Sequence, residues 1–416
     1  MGGHLLSEKQ LLNIEDRVYT FSKICNSIIS YFAGWQTVSN LDIDEIFKEY
    51  ISKIIKVSDR FEFGLLMMEF LAKFNNGNCK YYDDFIMDEL GCDLGFKLSF
   101  YDGKWLSRLS QVEGLQNYEI ITEIDGEDLE SFFQRNNKYI CSFNDREAKT
   151  KFSSYSFLFP LKFTLTLLSG KQINVDRGAL NIKKLMAKTE GIWIKEGETA
   201  YIRIPSFENN EYENKAIEFI KLFNEAKSII IDLRDNEGGI IPYKLISSLM
   251  DRPYRFWSES TPVSFGLFKN YGKEASKEKD KNASSIWRCF EQSSLMWPAF
   301  EENNFKNIYK GKISMLVDAT CSYTCEDFII PFKDNKRGTI LGEKTMGCTG
   351  YPYKVDFGNG IKVDISSKKP FFPEGSAFEG VGISPDIGIH LTIEDLKASR
   401  DAVLMETIRM TSMFIK

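Results

Sequence analysis

The sequence predicts an α/β protein made of a helical N-terminal domain, a small β domain and a core in which a sheet is flanked by helices. Three observations carry this. Apolar residues recur at helical spacing up to about residue 90, short alternating segments punctuated by Gly and Asn fill 93–185, and strands alternate with helices from 198 onward. A chain of 416 residues is long enough for two or three domains, with boundaries expected at 1–92, 93–185 and 186–416.

In the first domain Ile46, Phe47, Tyr50, Ile51, Ile54 and Ile55 form one i, i+3/i+4 stripe. Leu65, Leu66, Met68, Phe70, Leu71 and Phe74 continue in a second helix, with Ser58 as its expected N-cap. The second domain reads as the strands GFKLSF, KWLSRLS, YEIITEIDG, FTLTLLSG and KQINV. In the third, TAYIRIPSF is followed by a helix through Glu213 to Ala226, the apolar strand SIIIDLR, a helix, ISMLVDA, another helix and GTILGE. Such alternation implies crossover connections and a largely buried sheet. Between Asp251 and Asn307 lies a segment rich in aromatics (among them Trp257, Phe265, Phe268, Tyr271, Trp287 and Phe290) that also holds the polar run KEASKEKDKN. It reads either as an insertion packed on its own small core or as a lid over a cleft.

Composition excludes several function classes. Against 59 Asp+Glu there are 53 Lys+Arg, a net charge of −6, which disfavours nucleic acid or an anionic membrane as the main partner. The N-terminus lacks the basic-then-apolar order of a signal peptide, and Ser7 comes one residue too late for myristoylation. The most apolar stretch, Phe157 to Leu168, is broken by Pro160 and Lys162 and is too short to span a bilayer, so a cytoplasmic protein is expected. Eight cysteines are sparse for a disulfide scaffold and are expected to be reduced. Cys321 and Cys325 are not spaced as CxxC, and with only His4 and His390 no zinc-ligand cluster is visible.

The chemistry-bearing stretch is SIIIDLRDNEGG (228–239), a buried strand running into an Asp/Arg/Asn turn and the glycine pair Gly238 and Gly239. A glycine pair after a strand turns sharply and presents unhindered N–H groups to an oxygen. It is followed in order by LVDATCSYTCEDF (316–328), KDNKRGTILGEKTMG (333–347) and FEGVGISPDI (378–387). Together these resemble the tail-specific (C-terminal processing) serine peptidase family, which includes the tricorn core and the retinoid-binding repeats. Upstream, FNNGNC (74–79) is similar to the family's Asp-Gly-His-Thr segment, and GLQNYEIITEIDGEDLESFF (114–133) resembles part of its PDZ-like domain. The resemblance spans roughly residues 60 to 390 and implies a PDZ-like β domain and a peptidase-type core.

What the resemblance implies is cleavage of extended peptides or C-terminal tails by an activated serine at a helix N-terminus, without metal or cofactor. The base is a lysine or a histidine, backed by a glutamate, and the oxyanion hole uses a glycine-pair N–H and the N–H after the serine. Matched residue by residue, Glu326 and Asp318 both place the nucleophile position at Tyr323, the following N–H at Thr324 and the lysine position at Cys348. The histidine position is Asn78, and Glu379 matches the supporting acid. Nucleophile and base are therefore both replaced.

A carboxamide has no titratable proton acceptor, and an unassisted phenol with a pKa near 10 is a weak nucleophile at neutral pH. Losing nucleophile or base costs roughly 10⁶ in kcat in a comparable hydrolase. Substitutes are Ser322, otherwise a helix N-cap; a thiolate of Cys79, Cys321 or Cys325, otherwise small buried hydrophobes; and Lys344 or His390, otherwise solvated. Three functions are expected to compete: a degenerate peptidase-like protein that binds an extended peptide, an active peptidase using Ser322 or a cysteine, and a binder of a small apolar ligand. In the first, Gly238, Gly239, Tyr323, Asn78 and Glu379 share one cleft.

Overall fold

The computed structural model describes residues 12–38, 41–57, 59–180, 182, 187–262, 267, 294–306 and 308–413. His4, Ser7, Ser58, Phe265, Phe268, Tyr271, Trp287, Phe290 and the KEASKEKDKN run lie outside the described residues. The chain divides into two compact units, one of residues 1–183, 260–295 and 350–369, the other of residues 184–259, 296–349 and 370–416.

In the first unit the helices Ile14–Tyr31, Ile43–Lys56 and Arg60–Ala72 start where Asn13, Asp42 and Asp59 accept hydrogen bonds from backbone N–H groups of the first turn. The cap expected at Ser58 is thus made by Asp59, whose carboxylate accepts from the Glu62 N–H at 2.9 Å. Of the predicted stripe, Ile46, Tyr50 and Ile54 are buried, whereas Ile55 is exposed. Phe21, Tyr50, Phe70 and Phe74 are fully buried; Phe70 meets Phe21 edge-on at 5.1 Å and Phe74 at 5.4 Å, while Phe21 stacks on Tyr50 at 6.2 Å.

An antiparallel sheet of Lys80–Asp83, Ile361–Ser366 and Pro352–Asp356 contributes Val355, Ile361, Val363 and Ile365 to this same core. Nothing in the local sequence announces that pairing, because the partners stand more than 270 residues apart. A buried ion pair fixes its edge: Arg60 donates to both Asp83 oxygens, at 2.9 Å to Oδ2 and 2.7 Å to Oδ1, and to the Asn359 carbonyl at 2.8 Å.

The five strands predicted for 93–185 form one antiparallel sheet in the order Lys97–Tyr101, Lys104–Arg108, Ile120–Ile124, Lys162–Leu167, Gln172–Asp176. It has its own core, where Trp105 packs with Phe133 and Phe152 and donates its indole N–H to Glu130 at 2.9 Å.

The second unit holds a six-stranded sheet in the order Ile387–Gly388, Thr339–Gly342, Lys312–Val317, Ser228–Asp232, Thr199–Arg203, Glu190–Lys195. The first five strands are parallel and the last is antiparallel. The run SIIID is buried at every position because both faces are covered: Ile229 and Ile231 enter one core, and Ile230 enters the other beneath the helix Ala402–Met413. The crossover helices are Asn210–Leu222, Tyr243–Leu249 and Thr324–Asn335, the first beginning at its Asn209 cap, three residues ahead of the expected start.

Candidate functional site

Beyond the C-terminal ends of two adjacent parallel strands, Ser228–Asp232 and Lys312–Val317, the chain makes two turns that pack together. This is where open α/β sheets gather ligands and reacting groups.

The first turn carries the glycine pair. Asn236 is buried and shapes it: its side-chain carbonyl accepts from the Gly238 N–H at 2.9 Å, while its amide donates to the Ile204 carbonyl at 3.0 Å. Gly238 has φ +86°, and a Cβ there would lie 2.7 Å from the Thr324 nitrogen and 2.9 Å from the Tyr323 Cβ. Gly239 runs beside Phe207 so closely that a Cβ would sit 2.0 Å from the Phe207 carbonyl. No larger residue fits at either position without moving backbone.

The second turn ends at Tyr323, which stands at the N-cap of Thr324–Asn335 with φ 51° and ψ −125°. That conformation is costly for a residue with a side chain, and such strain concentrates at functional sites. Three contacts hold the turn. The Tyr323 N–H donates to the Cys348 carbonyl at 2.6 Å, the Ser322 N–H to the Asn236 carbonyl at 3.3 Å, and the Thr324 hydroxyl to the Gly239 carbonyl at 2.6 Å. The Gly238 N–H is consumed by Asn236, whereas the N–H groups of Gly239 and Thr324 donate to no group among the described residues. Of the three expected donors, Gly239 and Thr324 thus have the free N–H groups.

Ser322 is not the helix cap, because Tyr323 takes that place; it is buried, and its carbonyl accepts from the Cys325 N–H at 3.0 Å. Cys321 and Cys325 are completely buried, and burial pushes both thiols above the ordinary range, Cys321 well above it. Cys348 is also completely buried. Lys344 is exposed, as is His390, whose ring nitrogen lies 2.9 Å from the Glu343 carboxylate.

Glu326 organises the surroundings, a role the sequence reading missed by using it only to count positions. Fully buried in the first helical turn, its carboxylate accepts from the Thr345 hydroxyl at 2.5 Å and from the N–H groups of Gly347 at 2.7 Å and Cys348 at 2.9 Å. Loss of water around the carboxyl outweighs these three donors and pushes its pKa up to about 8. The segment 345–348 is stitched on its other side to 380–383, through Gly380 N–H to the Gly347 carbonyl at 2.8 Å and Ile383 N–H to the Thr345 hydroxyl at 2.7 Å. Glu379 immediately precedes this seam. Phe378, one residue earlier, packs on Trp257 with ring centroids 4.1 Å apart, and the Trp257 indole donates to Asp327 of the same helical turn at 2.7 Å.

Asn78 belongs to the first unit. There the Asn75–Cys79 loop is closed by Asn76, whose side chain accepts from the Asn78 N–H at 2.9 Å. The loop rests on a buried Glu147 paired with Lys151, and the Lys151 ammonium also donates to the Gly77 carbonyl at 3.0 Å. Asn78 is buried, and a Cβ on Gly350 would approach its amide nitrogen to 3.0 Å. Neither Glu147 nor Lys151 carried a sequence signal for this loop, since they lie about 70 residues away in the chain. Among the described residues no cluster of His, Cys, Asp and Glu is arranged to hold a metal ion, and no helix is long and apolar enough to cross a membrane.

Comparison with known proteins bears on this arrangement. Residues 198–389 match peptidase family S41. A "Probable CtpA-like serine protease" of Staphylococcus aureus (strain N315) is 25% identical over 231 residues, 54% of this chain and 40% of that protein. A protein of the same description from Staphylococcus epidermidis is 24% identical over 232 residues. The match thus spans about 40% of the length of these curated relatives. Mature CPAF has a similar fold, with a TM-score of 0.72 at 13% identity over 93% of this chain and 95% of its own. The photosystem II D1 C-terminal processing protease aligns with a TM-score of 0.54 at 13% identity over 96% of this chain and 98% of its own.

Proposed function

This chain belongs to peptidase family S41, and we infer that within it the chain binds extended peptides without carrying out serine-type hydrolysis. The observation that carries this reading is the identity of the residue on the strained turn. Tyr323, with φ 51° and ψ −125°, stands where the family's motif order puts the nucleophile, directly before the free N–H of Thr324. A hydroxyl nucleophile needs a partner base. The residue matching the family's histidine is Asn78, and the residue matching its lysine is Cys348. Neither supplies a proton acceptor like the one it replaces. Thiol catalysis at Cys321 or Cys325 is disfavoured by the raised pKa of both buried groups.

Peptide binding is supported by two features. Backbone N–H groups at Gly239 and Thr324 are available to a peptide carbonyl. The 97–176 sheet, which we take to be the PDZ-like domain, ends in the strands Lys97–Tyr101 and Gln172–Asp176, each with one neighbouring strand among the described residues. An extended peptide adds to such an edge through its own backbone hydrogen bonds.

The test combines a fluorophosphonate probe, a casein-type substrate and a peptide array. The expected result is no labelling, intact casein and retention of a set of extended peptides. Labelling that disappears in Ser322→Ala would overturn the reading in favour of an active serine peptidase, and alkylation with activity lost in a single Cys→Ala variant would establish a thiol peptidase. An empty array together with retention of a small apolar molecule would transfer the site to that ligand class.

A further inference from the structure

At the opposite end of the second unit's sheet, where the strands Ser228–Asp232, Lys312–Val317 and Thr339–Gly342 begin, lies a cavity of about 480 Å³. Among the described residues it is lined by Lys227, Lys310, Lys312, Lys336 and Arg337 and by no carboxylate. In a chain of net charge −6 such a concentration of one sign runs against the average of the molecule. It sets up a local positive potential, offset in part by Asp251, 3.8 Å from Arg337, and by Glu198, whose charge interacts with that of Lys227.

The five cations do not share one role. Arg337 is buried and committed to main-chain carbonyls, donating to Leu249 at 2.9 Å, Gly311 at 2.9 Å and Tyr309 at 2.8 Å, so it fixes the floor. Lys227, Lys310 and Lys336 are exposed and pair with no carboxylate among the described residues. Lys336 occupies the left-handed cap of the helix Thr324–Asn335, with φ 52°, a place that usually goes to Gly or Asn. Complementing the negative end of that helix accounts for one lysine, but not for Lys227 and Lys310, which precede strands. Ser314 and Thr339, neighbours in the parallel register, add hydroxyl groups to the lining, and Ile313, Leu341 and Met410 add an apolar wall.

We propose that this cavity binds a small phosphate-rich polyanion, its phosphoanhydride chain held by Lys227, Lys310 and Lys336. The volume falls in the range of small-molecule sites, and several mobile ammonium groups around a fixed floor suit several phosphates better than one planar carboxylate. The site is separate from the Tyr323 turn, which follows the other ends of the same strands, about 20 Å away along a six-residue strand.

The experiment measures thermal unfolding of the whole chain with millimolar inorganic pyrophosphate, with ATP, and with sodium sulfate at matched ionic strength. A rise in Tm of a few degrees or more with pyrophosphate or ATP, beyond sulfate, is expected. It should be lost in Lys227→Gln/Lys310→Gln/Lys336→Gln and kept in the corresponding triple Lys→Arg variant. These lysines are exposed and make no ion pair among the described residues, so both variants should fold, which circular dichroism checks. A rise with pyrophosphate assigns binding to the phosphates alone; a rise with ATP only assigns the apolar wall to the nucleoside. No rise beyond sulfate, or an equal rise in the triple Gln variant, overturns the proposal.

Discussion

The main-chain N–H of Tyr323 donates to the carbonyl of Cys348 at 2.6 Å, so a backbone hydrogen bond joins the residues matching the family's nucleophile and its lysine. The bond needs neither side chain. Glu326 holds the other face of the same peptide segment through the Cys348 N–H at 2.9 Å. Both bonds would form whatever side chains stood at 323 and 348.

Because the backbone at 323 lies in a region nearly reserved for glycine, the usual order of Ala and Gly should invert there. Tyr323→Gly should be more stable than Tyr323→Ala by about 1–3 kcal/mol. Urea denaturation of the two variants decides it, and an Ala variant as stable as the Gly variant would show the turn to be unstrained.

Gly238→Ala should cost at least about 2 kcal/mol, since its Cβ meets the Thr324 nitrogen at 2.7 Å and backbone must move. The same substitution at Gly358, where a Cβ meets nothing within 4 Å, carries only the positive-φ strain and should cost about 1 kcal/mol. Paired denaturation curves test the difference between the two.

The Glu326 carboxyl, raised by burial from 4.5 to about 8, predicts a pH effect of definite sign. Between these values the folded state keeps a proton that the unfolded state has released. The contribution of this group is therefore complete below about pH 4.5 and is lost as pH rises through about 8, with a limiting slope near 1.4 kcal/mol per pH unit. Stability curves of the wild type and Glu326→Gln over this window should differ by that slope; parallel curves would mean that the carboxyl is ionised in the fold. Glu326→Ala, which strands three donors, should cost about 3 kcal/mol near neutral pH.

If the oxyanion groups are intact, chemistry should be recoverable. Tyr323→Ser with Asn78→His should react with a fluorophosphonate on the order of 10²-fold faster than Tyr323→Ser alone, the gain a positioned base provides. Equal rates in the two variants would show that position 78 does not serve the nucleophile.

Much of the fold was legible in the sequence for a local reason. The five strands of 97–176 and the alternating elements from Thr199 to Gly342 each carry their own periodicity and turn residues, and a fully apolar run such as SIIID has no stable place except between two covered faces. Motif order names Tyr323, Gly238 and Gly239 as site residues, and the fold packs the first two so closely that a Cβ on Gly238 would lie 2.9 Å from the Tyr323 Cβ. Tertiary structure alone decided the rest, because it depends on contacts between distant parts of the chain. It recruited Ile361–Ser366 into a sheet with Lys80–Asp83, and it set Glu147 and Lys151 beneath the Asn78 loop. It also turned Glu326 from a counting mark into a buried acid, since a carboxyl acquires a pKa near 8 only where folding removes its water.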